Sequence, residues 1–521
     1  MSKEHPMTNG ADILAQTLAA HGVDTCFANP GTTEMHLLSA LGREEKLALH
    51  LCLFEGVVTG AADGYARMAG KPAVTLLHLG PGLANAMANL HNAKKAATPI
   101  INIVGEHATH HLGLGAPLTA DIEGMAQTVS DHVVTPERAD DVAQATVAAM
   151  AEIAGPEARV ATMIVPNDVA WTDTTVTAAP QTPAPAHPYD ADAARRAAQA
   201  LRKGADSVLI LGAAYITPRM AQLAHGIAKL TGCRLFAEAA VARMARGGDT
   251  PPVNRIPFHV DPASEALSGV TNAALVGARA PVAFFAYPGR PSRLLPDSAT
   301  VIEVCPPLGE IEAGLEAIAT ELGATPLTGT SGTRPDAPGD VEITAETLGA
   351  AVASVLPEGA IVVDEAITNG ANVFADCGHL PVAHDWINNR GGSIGYSLPA
   401  SVGAAVACPE RPVLCITGDG SAAYTPQALW TMARSGLNVT VVILANRSYR
   451  ILANEMSKIG AGSPDATTMP LMSLEDPAPD WVKIAEGHGV RGLRVSDAGT
   501  LADAIARAMA EPGPTLIEAV M

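Results

Sequence analysis

The sequence predicts an α/β protein built of three doubly wound parallel-sheet domains, and three observations predict it. Short, nearly all-apolar runs of strand length recur along the chain, the mark of strands covered on both faces. Segments with apolar residues at three- and four-residue spacing separate them, and such alternation implies parallel sheets with helices on both sides. Two stretches rich in Pro, Ala, Thr and Gly, Ala178 to Pro188 and Thr325 to Gly339, break the pattern and read as linkers. The expected domains are residues 1–180, 190–330 and 341–521, in keeping with the three or four that a chain of 521 residues suggests.

The elements follow in order. A helix from Ala11 to His21, with Ile13, Leu14 and Leu18 on one side, leads to a strand at Val23 to Ala28 and the turn Asn29-Pro30-Gly31-Thr32-Thr33. Then come a strand at Leu47 to Phe54, a helix at Gly56 to Met68, a strand at Ala73 to His78, a helix at Gly82 to Ala96 and a strand at Pro99 to Val104. The second unit has expected strands near Ser207 to Leu211, Val282 to Tyr287 and Thr300 to Cys305. In the third, strand Pro412 to Ile416 precedes a helical pattern of Ala428, Leu429, Met432 and Ala433, and a strand at Val439 to Leu444 follows.

Composition narrows the class. Hydrophobic residues make up 48% and charged ones 17%, which describes a well-buried soluble enzyme and not a disordered chain. Apolar runs are too short to span a bilayer, and Met1 to Pro6 carries no apolar signal core. A net charge of −20 without a basic block argues against nucleic acid as a partner. Seven scattered Cys, with no Cys-x-x-Cys pair, read as thiols of a reducing cytoplasm.

The most chemical stretch runs from Gly418-Asp419-Gly420-Ser421 to Asn446-Arg447-Ser448-Tyr449. Asp419 and Asn446 each stand at the carboxyl end of a strand. If the strands are parallel neighbours they lie roughly 5 Å apart, so both side-chain oxygens reach one ion. A hard cation such as Mg²⁺ takes oxygen ligands and is completed by phosphate oxygens and water. Gly420 lets the backbone come close, and Ser421 with the amides of the next helix start can take phosphate oxygens. A lone Gly-Asp-Gly is usually a turn; the spaced pair is far more specific.

This segment resembles the diphosphate-binding motif of thiamine diphosphate (ThDP) enzymes. The resemblance implies Asp419 and Asn446 as Mg²⁺ ligands, the Ser448 carbonyl as a third, and Gly418, Gly420, Ser421 and Tyr449 around the diphosphate. Many relatives have two consecutive Asn where this chain has Ala445-Asn446, and the second carries the ligand role. It further implies three domains, binding pyrimidine, central, and binding diphosphate.

Glu55 ends the apolar run Leu51-Cys52-Leu53-Phe54 and precedes Gly56 to Arg67, which contains Ala62-Asp63-Gly64-Tyr65-Ala66-Arg67. A single Glu at a strand end is usually solvated, but ThDP enzymes share a Glu in this strand-to-helix setting. There it bonds the aminopyrimidine N1′ and favours the imino tautomer, whose 4′ nitrogen takes the thiazolium C2 proton. A carboxyl in a dry cleft can share a proton with that ring, whereas water would defeat it. The family's Glu and metal site come from different subunits, which implies a homodimer at least and a homotetramer by analogy. In Gly391-Gly392-Ser393-Ile394-Gly395, ordinarily a tight turn before a helix, Gly392 matches the carbonyl that meets the 4′-amino group and Ile394 the wedge that bends the cofactor.

Benzoylformate decarboxylase and acetolactate synthase are the members the chain looks most like. Asn29-Pro30-Gly31-Thr32 matches the decarboxylase turn whose Ser lies by the substrate, with Thr32 keeping the hydroxyl. His78 falls where that enzyme has an active-site His, although a lone His at a strand end is more often a core residue. His110 and His111, otherwise a solvated loop pair or a metal fragment without nearby ligand partners, sit where pyruvate decarboxylase has a His pair and acetolactate synthase has one His. The run Val282 to Tyr287 lacks the decarboxylase's second His, and aromatics are 3% overall, so a phenyl-stacking pocket is not expected. A missing proton donor favours capture of the acyl fragment by a carbonyl acceptor. The expected activity is ThDP- and Mg²⁺-dependent decarboxylation or carboligation of 2-oxo acids. The alternatives are an FAD-containing acetolactate synthase and a flavin or nicotinamide oxidoreductase, the latter weakened because Gly212-Ala213-Ala214-Tyr215 lacks a dinucleotide fingerprint.

Overall fold

The computed structural model describes residues 8–155, 160–177, 182, 185–329 and 332–521. The opening Met1 to Pro6 and most of the expected linker at Ala178 to Pro188 lie outside the described residues. Backbone contacts divide the chain into two units. The first comprises Met1–Pro185, Arg390–Glu410 and Tyr424–Leu437, and the second Ala186–Asn389, Arg411–Ala423 and Asn438–Met521.

The first unit holds a six-stranded sheet of β1 (Thr25–Asn29), β2 (Ala48–Leu51), β3 (Ala73–Leu77), β4 (Ile100–Glu106), β5 (His132–Val134) and β6 (Val160–Pro166). Every pairing is parallel, in the order β2-β1-β3-β4-β6-β5. Leu14 and Leu18 from the first helix pack on Leu76, Ile101, Ile103 and Val165 to fill one face. Helix α1 (Glu55–Ala69) has all residues buried from Glu55 to Met68, so its face is covered all round and not a stripe. Helices α2 (Leu79–Ala96), α3 (Ser397–Ala407) and α4 (Ala428–Arg434) belong to the same unit.

Glycines decide how α1 and α3 meet. A Cβ on Gly403 would lie 1.8 Å from the Ala61 carbonyl oxygen, and one on Gly64 would lie 2.0 Å from that of Ala400. The two backbones therefore touch without intervening side chains. Beside this seam Arg67 donates to Asp63 at 2.6 Å, Thr98 donates to the same carboxylate, and the guanidinium lies 5.0 Å from the Tyr396 ring. The Asp-Gly-Tyr-Ala-Arg run is thus a packing motif whose charges are paired.

The second unit carries two sheets. One is four-stranded and parallel, with β7 (Ser207–Leu211), β8 (Arg234–Ala237), β10 (Asn272–Val276) and β11 (Thr300–Cys305) in the order β8-β7-β10-β11. The other has seven strands: β9 (Arg243–Arg246), β12 (Ile361–Glu365), β13 (His384–Asn388), β14 (Val413–Gly418), β15 (Val439–Ala445), β16 (Arg491–Val495) and β17 (Thr515–Val520). Their order is β9-β13-β12-β14-β15-β17-β16, parallel except for β9, which runs antiparallel to β13.

The strand expected at Val282 to Tyr287 is absent, and the inner position of the four-stranded sheet is taken by β10 instead. Val282, Phe284 and Phe285 are exposed at 66%, 47% and 50%, and a single bridge joins Val282 to Arg293. An apolar run resembles a buried strand in sequence, but here it forms a surface hairpin.

Candidate active site

Parallel sheets present their ligands at the carboxyl ends of the strands, and the first unit gathers a polar cluster there. Register pairs Asn29 with Leu77, so the turn Asn29 to Thr32 and His78 leave neighbouring strand ends. Between them stands Glu34, fully buried. Its Oε2 accepts the Gly31 N–H at 2.8 Å and lies 2.7 Å from His78 Nδ1, and its Oε1 accepts the Thr33 hydroxyl at 2.6 Å. Gly31 must be glycine, because a Cβ would lie 2.1 Å from His78 Nδ1. Thr32 is exposed at the head of this turn. Nearby, burial holds the Glu106 carboxyl above its ordinary range, and Glu34 adds to the effect.

Glu55 opens α1 and is buried, with Oε2 accepting from Asn85 at 3.0 Å. Asn85 starts a stripe on α2. Asn89 donates to the Gly56 carbonyl at 2.8 Å and to that of Gly395 at 3.4 Å. Asn92 donates to the Ser393 carbonyl at 2.8 Å and accepts the Ser393 N–H at 3.1 Å, while His91 meets the Gly391 carbonyl at 3.1 Å. One helix face therefore holds both Glu55 and the loop that carries Gly392 and Ile394. Gly392 is exposed with a left-handed φ of 82°, and Ile394 is half-buried.

In the second unit, β14 and β15 are parallel neighbours, with Gly418 opposite Leu444. Asp419 and Asn446 leave the carboxyl ends of adjacent strands as the spacing required. Asp419 is buried; its Oδ2 accepts the Arg447 N–H at 2.6 Å and its Oδ1 that of Gly420 at 2.8 Å. Burial still pushes its carboxyl up from the usual range, against the help of those amides. Asn446 Oδ1 accepts the Ser448 N–H at 3.0 Å. The loop is closed by Tyr449 N–H to the Met472 carbonyl at 2.8 Å and Leu474 N–H to that of Arg447 at 2.8 Å, bonds that leave the Ser448 carbonyl out. The Tyr449 ring covers Gly420, where a Cβ would lie 2.5 Å from Cε1. Beside buried Ser421, a Cβ on Gly418 would meet no atom within 4 Å, so there is room next to Asp419. An oxygen-only set, one buried carboxylate and open space suit a hard divalent cation completed by a diphosphate.

His110 and His111 stand apart. They lie on the short exposed helix Thr109–Leu112, His110 Nδ1 at 3.8 Å from Asp168 and the His111 ring 5.4 Å from that of His107. Among the described residues neither hydrogen-bonds to Glu34, His78 or Glu55. Sequence reasoning missed Glu34 and the asparagine stripe. The spacing Asn85, Asn89, Asn92 is a helix-face signal that could have shown the latter.

Residues 8–133 match the thiamine pyrophosphate enzyme N-terminal TPP-binding domain, and residues 371–519 match the C-terminal one. The chain belongs to the thiamine diphosphate-dependent enzyme family, whose members act on 2-oxo acids. Within it, the chain is related to benzoylformate decarboxylase and to the acetolactate synthase large subunit. It is 45% identical over 98% of its length to IlvX of Mycobacterium tuberculosis, named for the acetolactate synthase large subunits, and covers 99% of that protein. It is 29% identical to benzoylformate decarboxylase of Pseudomonas aeruginosa, over 96% of this chain and 97% of that one. The solved ThDP-dependent 4-hydroxybenzoylformate decarboxylase of Rhodococcus jostii superposes with a TM-score of 0.84, at 25% identity over 99% of both chains. Both matched models are thiamine coenzyme domains, which disfavours the FAD and oxidoreductase alternatives. Among the described residues no helix is long and apolar enough to cross a membrane.

Proposed function

We propose that this chain is a ThDP- and Mg²⁺-dependent 2-oxo acid decarboxylase or carboligase, working as a homodimer at least and as a homotetramer by the family's habit, in the cytoplasm. The observation that carries the reading is Glu55, a carboxyl buried at the start of α1 and held by Asn85. Asp419, Asn446 and the Ser448 carbonyl would hold the metal, with Gly418, Gly420, Ser421 and Tyr449 around the diphosphate. Gly392 and Ile394 would meet the pyrimidine side. When bound, the coenzyme supplies the nucleophile and the electron sink for carbon–carbon cleavage.

The chain's own part is orientation and proton handling. Glu55 holds a proton against the ring nitrogen, and its burial excludes competing water. Glu34 accepts from Nδ1 of His78, which leaves Nε2 to exchange a proton with the reacting carbon or oxygen. Thr32, exposed beside this pair, offers a hydroxyl to the keto acid. The domain limits 1–180, 190–330 and 341–521 are retained as the pyrimidine-binding, central and diphosphate-binding parts. His110 and His111, on the exposed helix Thr109–Leu112, are retained as candidate proton carriers. One incubation with ThDP, Mg²⁺ and a panel of 2-oxo acids, with and without aldehydes, followed by NMR, tests the proposal. Carbon dioxide release with an aldehyde or a hydroxyketone as product is expected; no turnover of any 2-oxo acid would overturn it.

A further inference from the structure

The metal loop continues into α5 (Arg450–Lys458), and this helix has no buried residue. From Asn446 to Asp480 no position is buried at all. A helix without a buried face gains little from apolar contact and needs another fastening. Among the described residues, the Ser457 hydroxyl bonds the nearby Gly462 carbonyl just past the helix, and the longer-range side-chain bonds of α5 converge on two segments of the central region. The Tyr287 hydroxyl donates to Glu455 Oε2 at 2.6 Å. Lys458 donates to His259 Nδ1 at 3.0 Å and to Glu455 Oε1 at 3.1 Å.

Those two segments brace each other. Phe258 packs on Phe284 at 4.8 Å between ring centroids, Phe284 on Phe285 at 4.9 Å, and Arg290 donates to Asp261 at 2.5 Å. Three of the seven Phe thus form a small platform beneath the clasp. Tyr287 itself is nearly buried, and burial together with Glu455 pushes its phenol up to about 12, so it stays a donor at physiological pH.

We propose that Tyr287 and Glu455 are positioning residues whose bond docks α5 and thereby holds Asn446, Ser448 and Tyr449 in the arrangement that takes the metal-bound diphosphate end of the coenzyme. This rests on the functional reading above. The mechanical logic is direct: α5 begins one residue after Tyr449, the loop is closed on its other side at Met472 and Leu474, and the span between hangs from its clasp.

The test uses Tyr287→Phe, which keeps the ring and removes the donor, together with Glu455→Ala and the conservative Glu455→Gln, whose amide oxygen can still accept. Hydrogen–deuterium exchange over residues 450–471 is expected to speed up about fivefold in Tyr287→Phe and Glu455→Ala and to stay near wild type in Glu455→Gln. By calorimetry, the Kd for ThDP at saturating Mg²⁺ should rise about fivefold in the first two variants, with KM for the keto acid rising more than kcat falls. Unchanged exchange in both would sink the clasp alone. Faster exchange with an unchanged coenzyme Kd would sink its positioning role. A wild-type protein that binds no coenzyme would instead bring down the functional reading, and this role with it.

Discussion

His78 Nδ1 lies 2.7 Å from Oε2 of Glu34, a carboxylate with no exposed surface. The two residues are far apart in sequence and meet because β1 and β3 are neighbours. Glu34 also takes Gly31 N–H and Thr33 O–H, so it builds the turn and orients the imidazole together.

Glu34→Gln places an amide nitrogen against at least one of those donors. We expect kcat for a 2-oxo acid to fall about 10- to 100-fold with coenzyme affinity unchanged. His78→Ala should cost at least as much, and the double variant no more than His78→Ala alone, since the residues act as one unit. Steady-state kinetics on the three proteins checks this; additive losses would count against the pairing.

Glu55→Gln keeps the shape and the Asn85 contact but cannot hold the proton. The exchange of the coenzyme C2 proton for deuterium, followed by NMR, is expected to slow about 100-fold or more while binding persists. Asn85→Ala should slow it by a smaller factor, about tenfold, because Glu55 stays buried but loses its orienting donor.

Gly403→Ala would drive a methyl group to 1.8 Å from the Ala61 carbonyl oxygen. Because the obstacle is backbone, the seam between α1 and α3 must open, at about 3 kcal/mol. Urea denaturation should show the loss. Gly418→Ala, whose Cβ meets nothing within 4 Å, should leave stability nearly unchanged and weaken the Mg²⁺–ThDP complex.

His384 adds a pH dependence. Burial holds its imidazole down from 6.5 to about 4 in the folded protein. The unfolded chain therefore binds more protons between those values, so stability is full above about 6.5 and declines as the pH falls toward 4. The loss is of order 3 kcal/mol for this shift. His384→Leu should flatten that part of the stability profile measured by urea titration at several pH values; an unchanged slope would show that other groups set it.

The placement of Asp419 and Asn446 at strand ends was legible in the sequence because its signals are local, whereas Glu55, expected to end a strand running to Phe54, opens a helix after the strand has stopped at Leu51. An apolar run, a glycine turn and a polar residue at the strand end lie within a few residues of one another, and parallel packing follows from the alternation of strand and helix. The same local reasoning failed at Val282 to Tyr287, where an apolar run that resembles a strand faces solvent as a hairpin.

The sequence by itself determined the class of fold, the coenzyme family and the placement of Asp419 and Asn446 at the ends of two neighbouring strands. Only the tertiary structure decided that Glu34 holds His78, that an asparagine stripe on α2 ties Glu55 to the Gly391–Gly395 loop, and that Tyr287 reaches Glu455. The physical reason is that a buried polar group must find a partner, and which one it finds depends on strand order and helix docking, distances that no local periodicity records.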